Sequence, residues 1–340
     1  MSKVRLSKRQ KEAMYRDGFL ILRKAVPTEM VTTARQLLNT HLGAVTQSAR
    51  RSKPAVVREV AETAAAAALD PRLLDLFNKT DLSPTVDAFL GEPANPVKAA
   101  QIATRFPEDA PMRVNESGYR EKDTPFHGWF GHLDGLWNGG TQVPDIGEEL
   151  TPHKRRLWYR NAGTNTIPRT FPELNCNVAN FTALIGVALS DQRREGAGNL
   201  GLLKGAHRRL ERFFREQREA GGPLGPDGPG WPREHEEAPN GHGLRHFPDA
   251  VRESYRRTAV FTEDGHCWPR PTLMKLAPGD AVIVHFSTPH GATLVSGPDP
   301  RFMLYFRVTP KSRPQRNHRV YPDALCDIWL EWKSMHTFRK

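Results

Sequence analysis

Cysteine is scarce: Cys176, Cys267 and Cys326 are the only three in 340 residues, odd in number and far apart. That excludes a disulfide scaffold and a Cys-x-x-Cys zinc site, and it fits a reducing cytoplasm. No run approaches 18 apolar residues, so no membrane span is expected. The opening MSKVRLSKRQKEAMYRDG lacks the apolar stretch of a signal peptide, which predicts a cytoplasmic location. Long basic arms, zinc fingers and RNP-type motifs are missing as well. The net charge is +11, but the basic residues are interleaved with acids, as in RRLERFFREQREAGG. Such a charge fits anionic substrates or a solvated surface and argues against nucleic acid. Apolar residues make up only 38% of the chain, which predicts long polar loops around the core.

What is present divides the chain by texture. Residues 1–96 read as mainly helical. Ser7 caps a short helix that runs to Asp17-Gly18, FLILRKAV reads as a strand, and PTEMVTTARQLLNTHLG as a second helix. There Met30, Ala34, Leu37, Leu38 and His41 follow a three-four spacing, with Gly43 as the expected stop. REVAETAAAAALDPRLLDLF and SPTVDAFLG continue the helical character, broken at Asp70-Pro71.

From 97 to 310 the pattern changes to short strands: VKAAQIATRFP, NVANFTALIGVALSD, NLGLLKG, TLMKLA, DAVIVHF, ATLVS and RFMLYFRVTP. Irregular spacers rather than alternating helices separate them, so the class is mainly β with flanking helices, an antiparallel barrel or jelly roll. We read residues 1–340 as a single domain with insertions at 139–175 and 207–270 and a C-terminal extension at 311–340. Loops of this length act as lids or binding loops, or else are mobile surface insertions.

The chemistry gathers around GHLDG. In a strand, residues two apart share a face, so His132 and Asp134 would converge, two thirds of a facial-triad iron site. A lone His-x-Asp is weak in a chain with 13 histidines. A third ligand is available in PGDAVIVHFSTPHGATLVSGPDPRFMLYFRV. His290 follows a buried-looking strand, and Arg301 opens an apolar one eleven residues later. A guanidinium inside a barrel must be paired, and a dicarboxylate would pair it through two parallel charge-assisted bonds. His285 competes as ligand, but the spacing to Arg301 favours His290. His127 reads as surface or supporting, His207 as structural, His235-Glu236-Glu237 as a solvated loop, and His266-Cys267 as a nucleophile pair only if its neighbours converge. Phe126, Trp129, Phe130 and Trp137 line either a pocket or the core.

In this order the elements resemble the phytanoyl-CoA dioxygenase family of iron(II)- and 2-oxoglutarate-dependent oxygenases. YRDGFLILRKAVPTEMV is similar to the family's opening, and ALSDQRREGAGNLGLLKGAHR to its middle signature. The resemblance runs patchily from about residue 8 to 309, with 210–270 poorly covered. It implies a double-stranded β-helix (cupin-like) core in which His132, Asp134 and His290 bind iron(II) and Arg301 holds the far carboxylate of 2-oxoglutarate. Gln101, Asn180 and Thr182 fall where relatives place polar cosubstrate contacts. Where relatives carry a hydroxyl two residues after the second histidine, this chain has Ala292, with Thr293 next. With oxygen as the other cosubstrate, the implied reaction decarboxylates 2-oxoglutarate to succinate and carbon dioxide and oxidises a small organic molecule, anionic or lipid-derived. A carboxylate at Asp134 favours hydroxylation over halogen transfer. Two further classes remain open: another metal-dependent jelly-roll enzyme (isomerase or hydrolase) and a non-catalytic cupin-like binding protein. Oligomeric state is not readable from the sequence.

Overall fold

The computed structural model describes residues 4–49, 66–107, 120–133, 136–137, 178–179, 181–221, 224–225, 228–231, 247–313 and 322–339. Helix α1 (Lys8–Asp17) starts on a capping box, the Ser7 hydroxyl accepting from the Gln10 amide while the Gln10 side chain accepts from the Ser7 amide. It ends at Gly18, whose φ of +82° puts it in the left-handed region. Any Cβ there would also lie 2.6 Å from both His207 Nδ1 and Thr288 Oγ1. Strand β1 (Phe19–Leu22) follows, then α2 (Thr28–Ala49), which buries Ala34, Leu37 and Leu38 as the spacing predicts but Val31 in place of Met30, with Met30 and His41 only half-buried. Gly43 does not stop this helix. A glycine inside a helix costs only about 1 kcal/mol, too little to end one whose neighbours propagate it. Helix α3 (Pro71–Asn78) opens on an Asp70 cap with Pro71 in its first turn, and α4 (Leu82–Leu90) completes the helical part.

Beyond it come β2 (Gln101–Arg105), β3 (Leu136–Trp137), β4 (Val178–Ala179), β5 (Ala183–Ala188), β6 (Leu200–Leu202), α5 (Ala206–Ala220) and α6 (Asp249–Glu253). The chain continues through β7 (Val260–Phe261), β8 (Cys267–Trp268), β9 (Thr272–Leu273), β10 (Ala281–His285), β11 (His290–Ala292) and β12 (Arg301–Val308) to α7 (Pro322–Cys326). The strands are shorter than the apolar runs that announced them. TLMKLA supplies only two strand residues and NLGLLKG three.

Two main antiparallel sheets organise most of these strands, with β3-β4 and β7-β8 as separate two-stranded pairs. The larger has the order β1-β10-β5-β12-β2 and the smaller β11-β6-β9. The period-2 rule then sorts the side chains. Leu184, Val282, Val284, Met303 and Tyr305 point to one face of the large sheet and share a core with Leu200, Leu202 and Trp129 of the small-sheet side. Ala183, Ile185, Val187, Ile283, Phe302, Leu304 and Phe306 point the other way, against α2, α3, α4 and the C-terminal segment. The result is three layers: helices, large sheet, small sheet. Within 207–270, Leu210, Phe213, Phe214, Trp231, Phe247 and Val251 belong to the inner core, so the described parts of this stretch pack into the domain. The insertion at 139–175 lies outside the described residues. No helix among the described residues is long and apolar enough to cross a membrane.

The C-terminal segment is fastened to the helix-side layer by a buried ion pair. Arg313 Nε donates to Glu331 Oε1 at 2.6 Å, its Nη2 donates to Glu331 Oε2 and, at 3.0 Å, to the Thr182 hydroxyl. Thr182 in turn donates to Glu331 at 2.5 Å. Each charge thus has its partner and its hydrogen bonds, without which burial would cost several kcal/mol.

His285 closes the same layer. It is fully buried, its Nε2–H donating to the Ile328 carbonyl at 2.9 Å and its Nδ1 accepting from the Ser287 amide at 3.1 Å, with the Trp332 ring stacked at 5.3 Å. Burial pulls its pKa from 6.5 down to about 4. An unfolded chain therefore takes up a proton that the folded one refuses, so this contribution to stability is complete above pH 6.5 and is lost as pH falls toward 4. Urea denaturation across that range should show a fall of about 3 kcal/mol from this residue, and His285→Gln should remove that part of the slope.

Candidate metal centre

His132 reaches the site through a short strained segment. Pro125–Gly128 is a single turn in which Phe126 and His127 take left-handed φ values of 59° and 58°. For residues with a Cβ this costs about 1–2 kcal/mol each, so the surroundings must hold it. The Leu294 amide donates to the His127 carbonyl at 2.8 Å, and Trp129 packs its indole over Gly201 of β6, donating from Nε1 to the Gly201 carbonyl at 3.1 Å. A Cβ on Gly201 would fall 2.4 Å from that ring. Trp129 is 2% exposed, and its role is packing.

From this anchor the chain runs alongside β11. The His132 amide donates to the His290 carbonyl at 3.0 Å, and the His290 amide donates back to His132 at 2.9 Å. Two residues that exchange both backbone bonds stand directly opposite, with side chains on one face. The two imidazole centroids are accordingly 4.8 Å apart. Gly291 makes the approach possible: a Cβ there would lie 2.1 Å from the Phe130 carbonyl oxygen.

The tautomer is set on one side. His290 is 6% exposed, and its Nδ1 lies 3.1 Å from the Thr288 carbonyl, an oxygen that can only accept. Nδ1–H thus donates to that carbonyl, which leaves Nε2 as the ring nitrogen a metal would use. His285 presents the opposite case, with both ring nitrogens spent on backbone in the other layer. His207 is buried, its Nε2 on the Tyr15 carbonyl, and burial holds it neutral well below its ordinary value. His127 is part-exposed, 3.8 Å from Glu195. Cys267 is buried and its thiol is raised by burial, the reverse of an activated nucleophile. Asp134 and Asn180 lie outside the described residues, as does His235-Glu236-Glu237. Among the described residues no third His, Cys, Asp or Glu side chain joins the histidine pair.

Arg301 begins β12 with the same parity as Met303 and Tyr305 and so faces the space between the sheets. It is 2% exposed. Its Nη2 donates to the Tyr305 hydroxyl at 2.5 Å and contacts Met303 Sδ at 3.2 Å, and Nη1 lies 3.4 Å from the Ala103 carbonyl. All three acceptors are neutral, the buried Nε has no partner, and no carboxylate among the described residues meets this guanidinium. Its stem packs at Gly198, where a Cβ would fall 2.9 Å from Arg301 Cδ; Gly198 lies two residues before β6, the partner of β11.

Sequence reasoning missed Arg105. It stands opposite Arg301 in the β2–β12 register, and its Nη1 donates to the carbonyls of Ala292 and Thr293 at 3.0 and 2.8 Å. Two guanidiniums directly opposite repel unless something negative or polar is near. Gln101 occupies the register position opposite Tyr305 on an exposed stretch. The hydroxyls of Thr182 and Thr293 are already committed, to Glu331 and to the Asn199 carbonyl respectively.

No known family's sequence profile matches the chain, and no curated protein does. Among solved structures it is similar to the non-heme alpha-ketoglutarate-dependent carbocyclase SnoK from nogalamycin biosynthesis, at 14% identity, covering 92% of this chain and 89% of that one, with a TM-score of 0.41. AviO1 from Streptomyces viridochromogenes Tue57 is 12% identical over 92% of this chain and 98% of that one, TM-score 0.41. HygX from Streptomyces hygroscopicus, a structure with iron bound, is 14% identical over 91% and 88%, TM-score 0.39. Likeness at this level decides neither fold nor chemistry, and the assignment of the site stands on its own geometry.

That geometry turns on Gly291. Gly291→Ala should force the 130–132 segment away from β11, lowering stability by about 1–3 kcal/mol and weakening binding of divalent metal to the histidine pair. Gly297→Ala, where a Cβ meets nothing within 4 Å, should leave both unchanged. Chemical denaturation and metal titration of the two variants check this.

Proposed function

We propose that this chain is an iron(II)- and 2-oxoglutarate-dependent oxygenase of the phytanoyl-CoA dioxygenase type, a single domain on a double-stranded β-helix, that oxidises a small organic substrate. The observation that carries the reading is Arg301. A guanidinium buried between two sheets, bonded among the described residues only to neutral acceptors and with an Nε–H that finds no partner among them, is unstable unless an anion completes it. A metal isomerase or hydrolase on the same scaffold needs such a group only when its substrate is itself an anion. A keto acid chelating a metal at one end needs a cation at the other.

In this reading His132, His290 and Asp134 hold the metal, two neutral imidazoles and one carboxylate being the donor set of a facial-triad iron site. Iron held there, with 2-oxoglutarate and oxygen, supplies the oxidation, coupled to release of succinate and carbon dioxide. The protein's own work is positional. The Thr288 carbonyl keeps the proton on His290 Nδ1. The Tyr305 hydroxyl holds the Arg301 fork toward the far carboxylate, which a planar guanidinium grips in bidentate fashion. Arg105 adds positive potential and fixes the exit of β11. Gln101 and Asn180 are the polar cosubstrate contacts with no hydroxyl to spare elsewhere, while Thr182 and Thr293 act by holding backbone and ion pair in place. Hydroxylation is the oxidation favoured by a carboxylate at Asp134, since it leaves no room for a halide.

The test is succinate release from 2-oxoglutarate with added iron(II) in air, run alongside anaerobic titration of the metal-loaded protein with 2-oxoglutarate. His132→Ala and Asp134→Ala should abolish turnover while the folded far-ultraviolet spectrum is kept. Unchanged succinate formation in either variant overturns the metal assignment. Arg301→Ala should weaken 2-oxoglutarate binding by about 3 kcal/mol, roughly a hundredfold, with iron affinity nearly unchanged. Equal losses for metal and keto acid would remove its proposed role.

A further inference from the structure

A second positively charged cavity shares no lining residue with the histidine pair or Arg301. Its volume is about 370 Å³, and it is lined by Arg16, Lys204, Arg208, Arg209, Arg270 and Tyr255. Its five cations come from the end of α1, the β6–α5 turn, the first turn of α5 and the loop after β8. No acidic residue lines it among the described residues. Behind the wall sits Asp17, accepting from Arg16 Nε and Nη2 at 2.6 and 2.7 Å and pairing with Lys204 at 3.1 Å. One carboxylate therefore serves two of the cations, and Arg208, Arg209 and Arg270 have no carboxylate partner among the described residues.

Those three arginines are instead laid on aromatic faces. The Arg208 guanidinium lies 4.9 Å over the Tyr15 ring, Arg209 4.6 Å over Tyr255, and Arg270 4.6 Å over Phe126. Stacking fixes the planes while leaving the N–H edges available, so the forks are ordered before any ligand arrives. Tyr255 ties the wall together by donating its hydroxyl to the Lys204 carbonyl at 2.9 Å. Burial raises that hydroxyl to about 12, so it stays a donor. Helix α5 starts here with no side-chain cap on its first turn, which adds to the positive potential of a concave surface that already focuses it.

We propose that this cavity binds a phosphate-bearing small molecule carrying two or more negative charges. A single carboxylate would leave most of the charge uncompensated, whereas phosphate oxygens match several arginine forks at once. The inference is independent of the iron reading, because binding is measured on the full chain with no metal added.

Calorimetric titration with inorganic pyrophosphate, in about 150 mM salt to screen loose surface attraction, should show saturable one-to-one binding. Arg208→Gln/Arg209→Gln should weaken it roughly tenfold or more while leaving the thermal midpoint within a few degrees. Arg212→Gln/Arg218→Gln, which removes the same charge from α5 beyond the cavity, should bind as the parent does. A nucleoside diphosphate binding more tightly than pyrophosphate would assign the phosphate to a larger organic molecule, and equal affinity to the free inorganic anion. Absence of saturable binding overturns the proposal, as does an equal loss in both double variants. A single-stranded oligonucleotide that displaces pyrophosphate with affinity growing with its length would overturn it in favour of a nucleic-acid surface.

Discussion

The exchange of two backbone hydrogen bonds between His132 and His290 is the constraint on which the centre depends. It is a local event, one bridge between a loop and a three-residue strand, yet it fixes two imidazoles from opposite ends of the chain on one face. Neither segment would hold that position alone. One is led in by a left-handed turn pinned through Trp129 to β6, and the other is carried by β11, which pairs with the same strand. The β6 strand is thus the common reference for both histidines, and the glycines at 201 and 291 are where the backbones and the indole need the space of a missing side chain.

The same economy explains the charges inside. The large sheet sends its aliphatic residues both ways, but the inner face of β12 and β2 replaces two of them with arginines in register. Elsewhere in this protein a buried guanidinium is balanced locally, as Arg313 is by Glu331 and Thr182. Arg301 is not. The contrast between the two, one neutralised within the chain and one meeting only neutral acceptors among the described residues, is what supports the role proposed for Arg301 toward an external anion.

Much of this was legible in the residues and some was not. The Ser7 cap, the break at Asp70-Pro71 and the apolar strand RFMLYFRV are written in local chemistry, and each stands where its pattern puts it. The preference for His290 over His285 rested on spacing; in the structure His285 spends both ring nitrogens on backbone, whereas His290 meets the Thr288 carbonyl through Nδ1. Arg105 was hidden because its meaning comes from strand register, which no single segment carries. Gly43 misled because a glycine ends a helix only where the chain also turns away. The basic cavity was equally hidden, since five separated residues become neighbours only after the sheets and α5 have assembled.

The buried pair between Arg313 and Glu331 has a consequence for how the protein is made. Ile328, Trp329, Trp332 and Met335 complete the helix-side core over residues contributed by α2, α3 and α4. Those early helices leave the ribosome long before the aromatic side chains that cover the sheet beneath them. Until that segment arrives, α2, α3 and α4 cover the outer face of β10, β5 and β12 only in part, and the patch that Ile328, Trp329, Trp332 and Met335 complete stays open and apolar. Closure of this core therefore waits for residues 322–339 to fold back over the sheet, where Glu331 locks them to Arg313.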